Sequence, residues 1–284
     1  RIFMINFNGR IFEDSEAKLS VDNRGFAYGD AVFETIKVNN NKPVFWEAHY
    51  FRLMASMRIL RMEIPMNFTP EFLESQIIDL VSAWPSTSVS KRVKLTVFRN
   101  AGGYYTPSSN EVSYVISVSK LKSDLYEISD GHYEIELFKD YLVSPNLLST
   151  LKTNNKAINV VGSIYAKENK YDNCLLLNTN KNIIEALNGN VFLVQGNTIK
   201  TPPLSDGCLK GIIREKLIDI IKTSPNFNLI ESSISPFELQ KSNEIFITNV
   251  IHGIVPVRKF RKKEFTTETS EALLKQLNAQ LRLG

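Results

Sequence analysis

Cysteine and histidine are scarce in this chain of 284 residues, two of the first and three of the second. A disulfide framework and a histidine–cysteine metal centre therefore lack their raw material, and no metal is expected. Cys174 sits inside an apolar run and reads as a small core residue. No stretch reaches the ~18 consecutive apolar residues of a membrane span. Arg1-Ile2-Phe3-Met4 is not built like a secretory leader, so the expected location is the cytoplasm, with no membrane partner. A strong charge bias is missing too, because 34 basic against 30 acidic residues leave a net charge of only +4. The densest basic groups, Lys91-Arg92-Val93-Lys94 and Arg258 to Lys263, are short and mixed with apolar residues. That pattern fits solvated strand faces and argues against nucleic acid as a partner. There is no internal repeat. What remains is a 43% hydrophobic chain, long enough for one large or two medium globular domains.

The turn and periodicity signals divide this chain into sheet and helix. Ile2 to Phe7 and Arg10 to Phe12, joined by Asn8-Gly9, read as a hairpin. Ala31 to Val38 is a strand, and Pro43-Val44-Phe45-Trp46 turns it into a helix over Glu47 to Met62. A second helix starts with Thr69 as N-cap and Pro70 at the first helical position, and stops at Trp84-Pro85. Strands Arg92 to Phe98 and Val112 to Val118 flank a loop that begins at Arg99 and holds Gly102-Gly103-Tyr104-Tyr105. Loops of that kind carry substrate contacts, which singles out Arg99 and Tyr104. The polar stretch 121–131 reads as a linker between a domain of residues 1–120 and one of residues 132–284. In the second domain the strands are Tyr133 to Phe138, Cys174 to Leu177, Ile183 to Glu185, Val191 to Val194, Glu244 to Thr248 and Ile254 to Val257. Helices follow Lys152 (presenting Ile158, Val161, Ile164 and Tyr165 on one side) and span Ile212 to Ile221 and Thr267 to Leu281. The fold class is α+β.

Two stretches organise the chemistry. Leu151-Lys152-Thr153-Asn154-Asn155 places a lysine at the mouth of a helix, and Ile184-Glu185-Ala186 ends an apolar run with a carboxylate. Taken alone, either residue is first a surface charge. Together they form a possible amine and acid pair, and such an amine must be neutral part of the time. Gly211-Ile212-Ile213 opens a helix straight from a loop, so unpaired N–H groups and a positive dipole end make an anion seat. The turn after Thr248 offers further N–H groups, and Arg52 a two-pronged phosphate contact. Lys156 is a rival amine expected to face solvent, and His49 and His252 read as framework histidines.

These stretches occur in one order with two others, Asp22-Asn23-Arg24-Gly25-Phe26-Ala27-Tyr28-Gly29-Asp30-Ala31-Val32-Phe33-Glu34-Thr35 and Glu47-Ala48-His49-Tyr50-Phe51-Arg52-Leu53. Pro202-Pro203-Leu204-Ser205-Asp206-Gly207 precedes Gly211, and Thr248 to Val257 comes last. In that order the chain resembles the class IV aminotransferase family, the fold-type IV pyridoxal-phosphate enzymes. The family includes branched-chain and D-amino-acid aminotransferases and aminodeoxychorismate lyase. The resemblance implies a smaller N-terminal α/β sandwich, a larger C-terminal sheet or barrel-like domain, and a homodimer. It also implies pyridoxal 5′-phosphate as cofactor, with amino acids and oxo acids as small-molecule substrates.

Carried over by position, Lys152 resembles the lysine that links to the cofactor and Glu185 the partner of the pyridine nitrogen. Arg52, Ile212, Ile213, Asn249 and Val250 resemble the phosphate contacts, and Asn190 a further cofactor neighbour. Tyr28, Phe33, Arg99, Tyr104 and Ile251 are the substrate-side positions. The chain departs from the family at several points. Ile213 and Val250 stand where several relatives have a threonine hydroxyl, so those contacts rest on backbone N–H groups. Ala157 replaces the tyrosine usual five residues after the lysine in branched-chain enzymes. No histidine follows Arg99 in the Arg-x-His pattern of D-amino-acid enzymes. Gly102-Gly103-Tyr104 and the Thr248-Asn249 turn lean toward the lyase. The implied activity is amino transfer between an amino acid and a 2-oxo acid; the alternatives are lyase elimination of pyruvate and, more distantly, a non-catalytic binding module.

Overall fold

The computed structural model describes residues 4–84 and 88–283. Ile2 and Phe3 of the expected first strand, and Pro85 of the expected helix stop, lie outside them. The chain forms two compact units. One runs to Asp124 and takes in Lys152–Asn155; the other comprises Leu125–Leu151 and the chain from Lys156 onward. The Lys152 segment thus packs with the first unit although its sequence neighbours belong to the second.

The first unit contains β1 (Met4–Phe7), β2 (Arg10–Glu13), α1 (Arg24–Tyr28), β3 (Ala31–Asn39) and β4 (Lys42–Pro43), then α2 (Trp46–Ile59), α3 (Pro70–Ala83), β5 (Ser90–Arg99) and β6 (Val112–Lys120). The strands make an antiparallel sheet in the order β2-β1-β6-β5-β3-β4. Asn8 and Gly9 both take positive φ at the first hairpin, as a two-residue turn matched to strand twist requires. Thr69 caps α3 by accepting from the Phe72 N–H, with Pro70 at its start. One face of the sheet alternates Val32, Ile36 and Val38 with Val93, Leu95 and Val97, and buries them with Leu53, Met57, Leu73, Ile77 and Leu80 from α2 and α3. Glu34 falls in the same register as Val32 and Ile36, so a carboxylate is built into an apolar face.

In the second unit come β7 (Glu134–Val143), α4 (Ala157–Glu168), β8 (Asn173–Asn178), β9 (Ile183–Ala186), β10 (Asn190–Gln195) and β11 (Thr198–Thr201). They are followed by α5 (Ile212–Thr223), β12 (Asn228–Glu231), β13 (Glu244–Asn249), β14 (Gly253–Pro256), β15 (Lys259–Phe260), β16 (Lys263–Glu264) and α6 (Glu268–Leu283). Two five-stranded sheets result, β12-β11-β10-β13-β14 and β16-β15-β7-β8-β9. Leu175 and Leu177 join Val191, Leu193, Ile245 and Ile247 in one core, while Cys174 and Leu176 join Phe138 and Ala166 in another. Burial on both faces is why β8 reads as an unbroken apolar run. Half of the expected α4 face is turned inward: Ile158 and Tyr165 pack with Ala166 against the core around Phe138, and Gly162 is buried beside them, whereas Val161 and Ile164 are exposed. A Cβ at Gly162 would lie 3.3 Å from the Phe138 ring, so glycine there lets the helix approach closely. Among the described residues no helix is long and apolar enough to cross a membrane.

Candidate functional site

Lys152 lies on a short strap along β3, not at a helix mouth; α4 begins only at Ala157. The Phe33 N–H donates to the Lys152 carbonyl at 2.9 Å and the Asn154 N–H to the Ala31 carbonyl at 3.0 Å. Val32 and Thr153 form the bridge between these bonds. The half-buried Lys152 side chain places Nζ 4.5 Å from the Phe33 ring centroid. The lysine is thus set by main-chain pairing to a rigid strand, and Phe33 shields one side of its amine.

Arg52 reaches Glu34 from α2. Its Nε donates to Glu34 Oε1 at 2.7 Å, and its Nη2 pairs with Oε2. His49, one turn earlier, places Nδ1 2.8 Å from Oε2, which makes it the hydrogen-bonded framework histidine expected from the sequence. Burial on its own would raise the Glu34 carboxyl; the charge and hydrogen bonds of Arg52, then those of His49, outweigh it and hold it down at about 2. Burial lowers the His49 value, which Glu34 opposes and the charges of Arg52 and Lys152 reinforce. His49 Nε2 is buried without a hydrogen-bond partner among the described residues. Sequence reasoning named Arg52 and passed over Glu34, whose signal was a lone charge in the apolar register of β3.

Arg99 does not fulfil its expected role. Its Nε and Nη2 bind Asp30 at 2.9 and 3.3 Å, and Nη2 also donates to the Leu60 carbonyl at 2.7 Å. Nη1 donates to the Arg61 carbonyl at 3.2 Å and to Asn110 Oδ1 at 2.6 Å. All five guanidinium donors are engaged inside the first unit, so none is left for a substrate. Tyr104 and Tyr28 are exposed on the surface of that unit, and Phe33 is half-buried beside Lys152.

In the second unit, Glu185 on β9 is half-buried and accepts from the Leu209 N–H through Oε2 at 3.0 Å. Asn190 is buried beneath the same loop and donates to the Leu209 carbonyl at 2.9 Å. That bond supports the loop's backbone. The loop ends at Gly211, the N-cap of α5, where no side chain caps the helix. A Cβ at Gly211 would overlap Asn190 Oδ1, so this start of α5 requires glycine. The N–H groups of Ile212 and Ile213 in the first turn have no acceptor within the helix.

The turn after β13 is tied on itself. Asn249 Oδ1 accepts from the Ile251 and His252 N–H groups at 3.1 and 2.9 Å, and its Nδ2 donates to the Asn188 carbonyl at 3.2 Å. The Ile251 N–H is thereby committed to Asn249 and is not available for the substrate contact expected at this residue. Tyr126 Oη donates to the Val250 carbonyl at 2.7 Å, and Gly253 at φ +71° lets the Tyr126 ring pack against the turn. Thr248 Oγ1 is buried with no partner among the described residues. Cys174 and Cys208 are buried, which pushes their thiols up to about 11 and about 12. No group of histidine, cysteine and carboxylate side chains suited to a metal occurs among the described residues.

A family model described as amino-transferase class IV matches residues 31–260. A putative branched-chain-amino-acid aminotransferase of Methanocaldococcus jannaschii is 25% identical, over 98% of this chain and 95% of that protein. An aminodeoxychorismate lyase of Vibrio harveyi is 23% identical, over 85% of this chain and 87% of that protein. Among solved structures, a branched-chain aminotransferase of Thermoproteus uzoniensis with norvaline superposes with a TM-score of 0.87. It is 21% identical, with 97% of this chain and 93% of that one covered, which is a likeness of fold.

Proposed function

The chain belongs to the class IV aminotransferase family, and on that premise we propose that it transfers an amino group between an amino acid and a 2-oxo acid. It is an enzyme of the pyridoxal 5′-phosphate class. The observation that carries the reading is Lys152 fixed by two main-chain bonds to β3, with its amine against an aromatic ring. The residues present fit the cofactor. The second unit offers a carboxylate, Glu185, and the uncapped start of α5, and the first an amine, Lys152, held against an aromatic ring. The orphaned Thr248 hydroxyl adds a buried polar atom suited to a bound anion.

When bound, pyridoxal phosphate supplies an electrophilic carbonyl and an electron-withdrawing ring that stabilises negative charge on the substrate Cα. Lys152 would hold the cofactor covalently, and its amine, when free, would move the proton at the substrate Cα. Glu185, its carboxylate oriented by the Leu209 N–H, keeps the proton on the pyridine nitrogen. Ile212 and Ile213 would hold phosphate through backbone N–H groups at the dipole end of α5, with Asn249 and Val250 assisting; Arg52 is proposed as a phosphate contact from its position in the sequence pattern. Phe33 and Tyr28 border the substrate. The enzyme works as a homodimer, a reading supported by large apolar side chains exposed on the second unit, Leu147, Leu148, Val160 and Ile164 among them.

The aminodeoxychorismate lyase reading stays second, favoured by the similarity to the Vibrio harveyi lyase. Amine transfer to 2-oxoglutarate and pyruvate release from aminodeoxychorismate, assayed side by side, separate the two. Borohydride reduction followed by peptide mass spectrometry is expected to find the phosphopyridoxyl group on Lys152 and to lose it in Lys152→Ala. A label retained in the variant, or no label at all, refutes the assignment.

A further inference from the structure

Arg24 opens α1 and is buried. Its Nε donates to Asp30 Oδ2 at 2.9 Å, the same oxygen that receives Arg99 Nε at 2.9 Å. One carboxylate therefore faces two guanidinium groups, and the surplus positive charge must be met by neutral acceptors because a buried, unsolvated cation is costly. Arg99 meets its share with the carbonyls of Leu60 and Arg61 and with Asn110. Arg24 turns instead to the loop between β5 and β6. Nη1 donates to the carbonyls of Gly102 at 3.2 Å, Gly103 at 3.4 Å and Tyr104 at 2.5 Å, and Nη2 to that of Tyr105 at 3.4 Å.

Four successive carbonyls can converge on one cation only where the chain coils tightly. Gly102 and Gly103 adopt φ of +125° and +75°, and a Cβ on Gly103 would overlap the Thr106 carbonyl oxygen. The coil leaves the side chains of Tyr104 and Tyr105 exposed. The Tyr105 ring lies 5.7 Å from that of Tyr28, whose own centroid is 4.9 Å from the Arg24 guanidinium carbon. The helix that carries Arg24 and Tyr28 also touches the Lys152 strap. It ends at Gly29, whose carbonyl accepts from Asn155 Nδ2 at 3.2 Å, and a Cβ there would stand 2.5 Å from Asn155 Oδ1.

We propose that Arg24 is a positioning residue of this enzyme. By clasping the carbonyls of Gly102–Tyr105 it sets the Tyr28–Tyr105 aromatic pair as a specificity-determining wall, anchored to the helix end that holds the Lys152 strap. The inference rests on the assignment of Lys152 as the cofactor lysine.

The test compares holoenzymes of the wild type, Arg24→Gln, Arg24→Lys and Tyr105→Ala. Chymotrypsin cuts after tyrosine, so cleavage at Tyr104 and Tyr105, mapped by mass spectrometry against cleavage elsewhere, reads the clasp without reference to activity. In Arg24→Gln, cleavage there rises at least about tenfold, and KM for amino donors rises about tenfold with kcat changed less than about threefold. Arg24→Lys falls between, and Tyr105→Ala reorders KM among donors of graded side-chain size while its loop stays resistant at Tyr104. Wild-type resistance and KM in Arg24→Gln overturn the proposal. So does cleavage without a KM change, or a fall in kcat alone. If Arg24→Gln does not fold, Gly103→Ala disturbs the same coil from outside the buried charges, and an unchanged KM there overturns the proposal equally. Failure of the Lys152 assignment appears separately, as absence of borohydride-fixed cofactor on that residue in the wild type.

Discussion

Replacing Glu34 by Gln tests the buried charge built into β3. The carboxylate is 1% exposed and bonded to Arg52 and His49, so the variant leaves the Arg52 charge in a partly dry site without its counter-ion. Breaking one partner of such a pair costs on the order of 3–5 kcal/mol. Linkage gives a second route to the size of the effect. A carboxyl held at about 2 against an ordinary 4.5 contributes roughly 3 kcal/mol to folding at neutral pH. The two agree in order of magnitude. Because the folded value is the lower one, this contribution is complete above about pH 5 and fades as pH falls toward 2. Between pH 7 and 3.5 the gap between wild type and Glu34→Gln should therefore narrow, by on the order of 1 kcal/mol. Both tryptophans of the chain, Trp46 and Trp84, lie in the first unit, so urea unfolding followed by tryptophan fluorescence reports on the unit that contains the pair. Pyridoxal phosphate is kept at one concentration throughout, since ligand binding shifts apparent stability. A gap that stays constant across that pH range would show that Glu34 does not titrate as described. No gap at neutral pH would show that the pair contributes nothing.

Three further outcomes are expected. Gly211→Ala should weaken cofactor binding by at least about tenfold, measured by cofactor absorbance titration, because its Cβ overlaps Asn190 Oδ1; Gly211→Ala combined with Asn190→Ala should recover part of the loss. Tyr126→Phe removes the bond to the Val250 carbonyl and should destabilise the protein by about 1 kcal/mol in urea unfolding, with cofactor affinity lowered as the turn loosens. Cys174 and Cys208, buried and with thiols raised to about 11 and about 12, should resist a disulfide reagent at pH 8 until denaturant is added; rapid labelling of the folded protein contradicts that burial.

Where physical signals are local, the sequence predicts the structure closely. The Asn8-Gly9 hairpin and the Thr69-Pro70 helix start depend on backbone preferences within a few residues, and both occur where expected. α1 escapes such reasoning, since five residues show no helical period. The Lys152 strap escapes it as well: its pairing partner, β3, lies more than a hundred residues earlier, and a single bridge leaves no alternation to detect. Loop composition misled in the case of Arg99, because the acceptors that saturate it come from Asp30, Leu60 and Arg61, all remote in sequence. On α4 the apolar period found Ile158 and Tyr165 on the packed side but missed Gly162 and Ala166, small residues around which the helix makes its close approach.

Glu34 shows how such a residue can be found from sequence. Its neighbours at alternate positions, Val32, Ile36 and Val38, define a core face, and a carboxylate there must be matched by cations on whatever packs over it. His49 and Arg52 stand three residues apart, the spacing that puts two side chains on one side of a helix. A charged intruder in a strand register, paired with two basic residues at helical spacing on the next element, therefore predicts both a helix–sheet contact and a fixed guanidinium. Arg24 and Asp30 carry no such periodic mark. Arg24 donates to the carbonyls of a loop more than seventy residues away, and main-chain oxygens are the same at every position of a sequence.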